Sequence, residues 1–286
     1  MKKKKSGFVV ILKSDLSLCQ NMYYDEKGLI KMKKIISVKD ISLDYKERDI
    51  FKKMKGSNGS IGIENISFDV EEGNIFSIIG LNGSGKTSTL KCILGLMKPD
   101  KGEIEVFGKK GLRGKDFEKV GYLPEISYYP KSMKLIDLMR YYGELYNIPK
   151  NKLDKKIDII LTKLDLISRK KDRLEKFSKG MLQKVGIAQA ILNDPKLLFL
   201  DEPMSGLDPL AREMVIEIIL ELKSKGTTIF FNTHILEDVA NIADKVAIIN
   251  KGKLVEVLDM KKIELKQDNF LLKDYFIKTM IELRTN

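Results

Sequence analysis

Four stretches of this sequence run apolar on successive residues instead of alternating: Ile75 to Ile79, Leu197 to Leu200, Thr228 to Phe231 and Val246 to Ile249. A strand with one wet face alternates, so strands written this way must be covered on both faces, as in a buried, mainly parallel sheet. Longer segments of helical period lie between them, and that alternation predicts an α/β fold. In Leu210 to Lys223, Met214, Ile218 and Leu222 recur four apart beside Val215 and Ile219, which predicts a helix with one buried stripe. Lys131 to Leu182, rich in Lys, Asp, Leu and Tyr, reads as an inserted helical sub-domain spanning about residues 125 to 182. Ile35 to Val38 and Ile63 to Val70 read as strands joined by a hairpin loop in the Lys/Gly/Ser-rich stretch Lys52 to Ser60. From about residue 254 to the end, an amphipathic stretch carrying Phe270, Leu272, Phe276 and Met280 predicts a helical appendage packed on the core.

The chain has 286 residues, 43% hydrophobic and 32% charged, a balance that excludes disordered, collagenous and disulfide-built classes. Its longest uninterrupted apolar runs are four or five residues, against the roughly 20 that a membrane-spanning helix needs. Phe8 to Leu12 follows four lysines as in a signal peptide, but Lys13 and Asp15 end it too soon, so a cytoplasmic location is expected. Residues 1 to 34 hold nine lysines against three acids, half of the net charge of +12, and are expected to form a solvated, flexible extension. Met32 opens the run MKKIISV and reads as an alternative translation start. Cys19 and Cys92 lack metal-ligand spacing and are expected to remain reduced.

Residues 80 to 87 read Gly-Leu-Asn-Gly-Ser-Gly-Lys-Thr and fit the phosphate loop G-x-x-x-x-G-K-[ST]. A loop that turns its backbone N–H groups inward round a phosphate chain needs Gly83 and Gly85, where a Cβ would block approach or forbid the dihedrals. Lys86 supplies a cation to the β and γ phosphates, Thr87 an oxygen for Mg²⁺, and the following helix points its positive end at the anion. The loop also follows an apolar strand and precedes the apolar helix Leu90 to Met97, the context this motif requires. With Gly80, Leu81, Asn82, Ser84 and Ser88 it makes up the expected nucleotide-binding segment.

Leu197 to Leu200 runs directly into Asp201 and Glu202. Two carboxylates at a strand's C-terminal edge suit metal work, one holding Mg²⁺ and its neighbour accepting a proton from attacking water. Taken alone, Asp-Glu-Pro reads equally as a polar turn closing a strand.

With these two segments in place, residues 35 to 260 resemble the ATP-binding cassette family, the nucleotide-binding subunits of ABC transporters. Phe177-Ser178-Lys179-Gly180-Met181 stands at the family's signature, 23 residues before Asp201, and Ser205 to Asp208 stands at its D-loop. Thr233-His234 follows the strand Thr228 to Phe231 as the family's switch histidine does, and Tyr45 takes the place of an aromatic that stacks on adenine. The resemblance implies a P-loop NTPase fold with an antiparallel β sub-domain, ATP and Mg²⁺ as ligands, and a separate transmembrane permease as partner. It also implies a head-to-tail pair of cassettes, identical or not, at the inner face of the cell membrane. Ser178 to Met181 would then meet the ATP of the partner copy, Asp208 would make a dimer contact, and Glu202, His234 and Lys86 would carry catalysis. By residue type, Ser178 and Asp208 are also ordinary helix caps, and His234 is the only histidine of the chain.

Three positions depart from the family pattern. Glu125 stands where a Q-loop glutamine contacts Mg²⁺, while Lys179 and Met181 replace the signature's Gly and Gln. Glu125 and the Ser-Lys-Gly-Met form resemble cassettes of ABC-2-type exporters. A soluble cassette acting on ribosome or DNA is the alternative, but the chain has neither tandem cassettes nor a long coiled-coil insert, and no nucleic-acid partner is expected. Asn250 to Lys253 opens like a guanine-reading N-K-x-D motif, yet its fourth residue is Lys, so no carboxylate is there for the base.

Overall fold

A computed structural model describes residues 22–24, 30–45, 61–264 and 271–285. Cys19, the run Phe8 to Leu12, Phe270 and the expected hairpin loop Lys52 to Ser60 lie outside them. The chain divides after Lys33 into two units. Within the first, β1 (Met22–Tyr24) and β2 (Ile30–Met32) pair antiparallel.

The second unit runs β3 (Lys34–Asp44), β4 (Ile61–Glu71), β5 (Ile75–Ile79), α1 (Lys86–Ile93), β6 (Lys101–Val106), β7 (Lys109–Lys110) and β8 (Val120–Leu123). Three helices follow, α2 (Leu135–Leu145), α3 (Lys150–Lys163) and α4 (Lys179–Ile191). The chain then alternates through β9 (Leu197–Asp201), α5 (Pro209–Ser224), β10 (Thr228–Thr233), α6 (Leu236–Ile242) and β11 (Lys245–Asn250). It closes with β12 (Lys253–Asp259), α7 (Met260–Glu264) and α8 (Leu272–Thr285).

The four expected strands are neighbours in a six-stranded sheet of order β12-β11-β5-β10-β9-β8, parallel except for β12 at the edge. Successive residues of each strand enter opposite cores. Ile75, Ile79, Leu198, Leu200, Ile229 and Phe231 join the core that holds the apolar faces of α2 to α5. Phe76, Ile78, Phe199 and Phe230 join the core shared with α1 and the antiparallel sheet β4-β3-β6-β7. There Phe68, Phe76 and Phe230 form a three-ring cluster with centroids 5.0, 5.7 and 6.1 Å apart, each ring contributing about 2–3 kcal/mol by burial.

Helix α5 buries the expected stripe: Val215, Ile218 and Ile219 are covered, with Met214 and Leu222 packed against them. Helix α1 begins at Lys86, four residues earlier than its apolar content predicts, and stops at Ile93. Gly95 ends it with a left-handed residue (φ +73°) and a paired closure, Leu96 N to Lys91 O at 2.9 Å and Gly95 N to Cys92 O at 3.0 Å. Cys92 is buried in the core.

The stretch from residue 254 is not helical throughout. Lys251 and Gly252 both take positive φ (47° and 80°), the geometry of a tight primed turn, and fold Lys253–Asp259 back on β11 as the antiparallel strand β12. Helices come only after Asp259. The Asn-Lys-Gly-Lys tetrapeptide is therefore a hairpin turn, and it braces the phosphate loop: Gly252 N donates to Ser84 O at 2.9 Å, and Glu64 N donates to Gly252 O at 2.8 Å.

Strand β8 passes close beneath α4, and a Cβ on Gly121 would stand 2.0 Å from the Ala190 carbonyl oxygen. That neighbour is backbone and cannot swing aside. Gly121→Ala is expected to cost about 3 kcal/mol. Urea unfolding checks this, the midpoint falling at an unchanged slope.

Candidate functional site

The glycine loop lies between the C-terminal end of β5 and α1, the crevice where open α/β sheets bind ligands. Gly83 and Gly85 take φ of +77° and +106°, in the region that L side chains avoid. Close approach adds to this at two glycines. A Cβ on Gly80 would meet Ile249 O at 2.3 Å, and one on Gly85 would meet the Ile63 side chain at 2.7 Å. Inside the loop the Lys86 ammonium donates to Gly80 O at 2.9 Å and lies 4.0 Å from Glu202 Oε1. Burial pulls the Lys86 pKa down from its ordinary value, and the carboxylates of Glu202, Asp201 and Glu125 oppose that shift.

The two acids at the end of β9 are held by the neighbouring strand. Asp201, 1% exposed, accepts from Thr87 Oγ1 at 3.2 Å and from Asn232 Nδ2 at 2.7 Å, both on Oδ1. Its pKa is pushed up to about 6 by burial, against the Thr87 hydrogen bond, with the charges of Glu125 and Glu202 adding to the rise. Glu202 takes a left-handed backbone (φ 52°), rare for its residue type, and is fixed there by three residues of β10 and its exit. Its N–H donates to Asn232 O at 2.9 Å, Thr233 Oγ1 donates to Glu202 Oε2 at 3.2 Å, and His234 Nδ1 shares a hydrogen bond with the same oxygen at 2.8 Å. From α4, Gln183 Nε2 donates to Glu202 O and Pro203 O, both at 3.1 Å.

One cleft of about 350 Å³ gathers residues 82–88, Tyr45, Glu125 and Glu202. Tyr45 stands at its edge with its hydroxyl 2.9 Å from Ser88 Oγ, and its ring presses on Gly62, where a Cβ would come within 2.7 Å. Gly80, Leu81 and His234 line an adjoining recess. Ser178, Lys179, Gly180 and Met181 do not line the cleft. Ser178 caps α4 by accepting from Met181 N at 3.2 Å, and Gly180 lies against the D-loop, where a Cβ would be 3.1 Å from Gly206 O. Asp208 caps α5 by accepting from Ala211 N at 2.8 Å, with Pro209 in the first turn.

The donor set fits the expected ligands. The loop leads into the N-terminus of α1, whose first N–H groups have no acceptor within the helix, and the Thr87 hydroxyl with the Asp201 carboxylate provides hard oxygens suited to Mg²⁺. Sequence reading missed Asn232, Thr233 and Gln183. Their partners lie 19 to 31 residues away, and only the pairing of β10 with β9, which sets Asn232 opposite Asp201, brings two of them to the acids.

A glycine cradle, a buried lysine and two acids at the end of the adjacent strand together define a P-loop nucleotide-binding protein. A family model described as ABC transporter matches residues 63–205. The chain is 45% identical over 195 residues to an uncharacterized ABC transporter ATP-binding protein of Synechocystis sp., an overlap of 66% of this chain and 54% of that relative. It is 35% identical over 223 residues to the bacitracin transport ATP-binding protein BcrA of Bacillus licheniformis, covering 77% of this chain and 71% of the relative. Among solved structures, an ATP-binding subunit of an ABC transporter superposes with a TM-score of 0.73 at 29% identity, over 85% of this chain and 98% of that one. This chain belongs to the ABC transporter ATP-binding family.

Proposed function

We propose that the chain binds Mg·ATP in this cleft, pairs head to tail with a second cassette over two nucleotides, and hydrolyses them to drive a separate transmembrane permease at the inner face of the cell membrane. The observation that carries the reading is the single cluster formed by the cradle, Lys86, Thr87–Asp201 and Glu202–His234. Lys86 and the loop N–H groups hold the phosphates, and Thr87, Asp201 and Glu125 hold the cation. When bound, Mg²⁺ neutralises phosphate charge and helps orient the chain for in-line attack. Glu202 accepts the proton of the attacking water, and His234 fixes the Glu202 carboxylate while its exposed edge serves the γ phosphate. Tyr45 offers its ring to the base.

Similarity to a bacitracin transport ATP-binding protein supports transport as the work done, and the likeness to ABC-2-type exporters supports the outward direction. A second cassette, identical or not, is supported by the place of Ser178 to Met181 apart from this cleft, on an exposed helix start able to take another chain's phosphate. In a hydrolysis-deficient Glu202→Gln background, Mg·ATP is expected to double the apparent mass in light scattering. Adding Ser178→Arg is expected to abolish the doubling and leave nucleotide binding by each copy within about twofold. Dimers that persist in the double variant would overturn the head-to-tail arrangement.

A further inference from the structure

We infer that Asn232 is a positioning residue for the metal-binding carboxylate: its buried amide fixes the rotation of Asp201 so that a divalent cation strengthens nucleotide binding. The inference rests on the reading of the cleft as a Mg·ATP site. Asn232 is wholly buried in β10, directly across the sheet from Asp201. Its Nδ2 donates to Asp201 Oδ1 at 2.7 Å, the shorter of the two hydrogen bonds on that oxygen. The other comes from Thr87, whose own oxygen is needed as a cation ligand. A hydroxyl can give a lone pair to a cation and still donate its proton to a carboxylate, so what sets Asn232 apart is its place in the sheet, paired with β9 and outside the phosphate loop. Both bonds fall on Oδ1, so the amide defines which oxygen is tied back to the sheet and leaves Oδ2 outside the pair.

The direction of the amide follows from chemistry. Turned over, it would set its oxygen against a carboxylate oxygen at 2.7 Å, two acceptors face to face. In the observed orientation Asn232 Oδ1 is buried with no hydrogen-bond partner. A residue kept for packing alone would be better apolar, because an orphaned acceptor costs stability that an aliphatic side chain of similar size does not. The bond to Asp201 is what this amide provides, and outer partners of this kind typically change metal affinity by about 10- to 100-fold.

The test uses the full chain and a fluorescent ATP analogue, titrated once in EDTA and once with saturating Mg²⁺. The ratio of the two Kd values is the gain due to the cation. Asn232→Leu, which keeps the size and removes the donor, is expected to leave the EDTA value within about twofold and to cut the gain by about 10-fold or more. Asn232→Ser, with a hydroxyl donor on a shorter arm, is expected to fall between and serves alone if the Leu variant does not fold. A variant with the wild-type gain, or one whose binding weakens equally in EDTA and in Mg²⁺, overturns the positioning role. A wild-type chain that binds no analogue in either condition overturns the nucleotide reading itself, and the inference falls with it.

Discussion

Glu202→Gln is expected to lower ATP turnover by about 10²- to 10³-fold while ATP affinity stays within a few-fold of wild type, the size of a lost general base. The substitution keeps the volume and one acceptor oxygen, so Thr233 Oγ1 still has a partner within reach. The backbone ties to Asn232 O and from Gln183 involve no side-chain atom of residue 202 and are unaffected. The amide cannot take a proton from water. His234 Nδ1 bonds the same oxygen, so with the amide oxygen turned to that position both bonds persist, whereas an NH₂ there would require Nδ1 and the Thr233 hydroxyl to accept instead. Phosphate release measured under saturating Mg·ATP checks the turnover, and the fluorescent analogue checks the binding. Turnover at the wild-type rate would remove Glu202 from its role. The left-handed backbone at Glu202 bears on the same point: such a conformation costs about 1–3 kcal/mol in a non-glycine residue, and hydrogen bonds from two separate elements maintain it. That arrangement is hard to explain as a mere polar turn after β9.

The sheet was legible because its central strands are covered on both faces and so are written as continuous apolar runs. The phosphate loop was legible because glycine spacing is a local property. The strands at the sheet's edges were not. Val120–Leu123 is four residues with a glycine in it, and Lys253–Asp259 carries enough charge to pass for one side of an amphipathic helix. What separates strand from helix there is the turn at Lys251 and Gly252, and that turn imitated a nucleotide-reading motif. The ring of residues holding the acids was also hidden, because Asn232, Thr233 and Gln183 acquire their partners only through strand register and helix packing. Types of residue that could bind phosphate were readable; the hydrogen bonds that aim the carboxylates required the sheet.

Burial makes the Asp201 carboxylate, proposed above as a cation ligand, a burden to the nucleotide-free fold. Its carboxyl titrates near 6 in the folded chain against an ordinary value of 3.8. A folded-state pKa raised in an acid means that the fold prefers the protonated form. The penalty is therefore fully present above pH 6, shrinks as pH falls through 6, and is gone below 3.8, where both states are protonated. At neutral pH it amounts to about 3 kcal/mol. Asp201→Asn keeps an oxygen to accept from Thr87 and Asn232 and removes the charge, although Lys86 then loses one of its three opposing carboxylates, which trims the gain. In EDTA at pH 7.5 the variant is expected to melt roughly 5 °C or more above wild type, with the gap closing toward pH 4. Adding Mg·ATP should reverse the order, since ligand binding stabilises the wild type by mass action and the variant lacks the carboxylate proposed to hold the cation. A variant that melts lower in EDTA, or a gap that ignores pH, would show that the Asp201 carboxylate is not destabilising in the free chain.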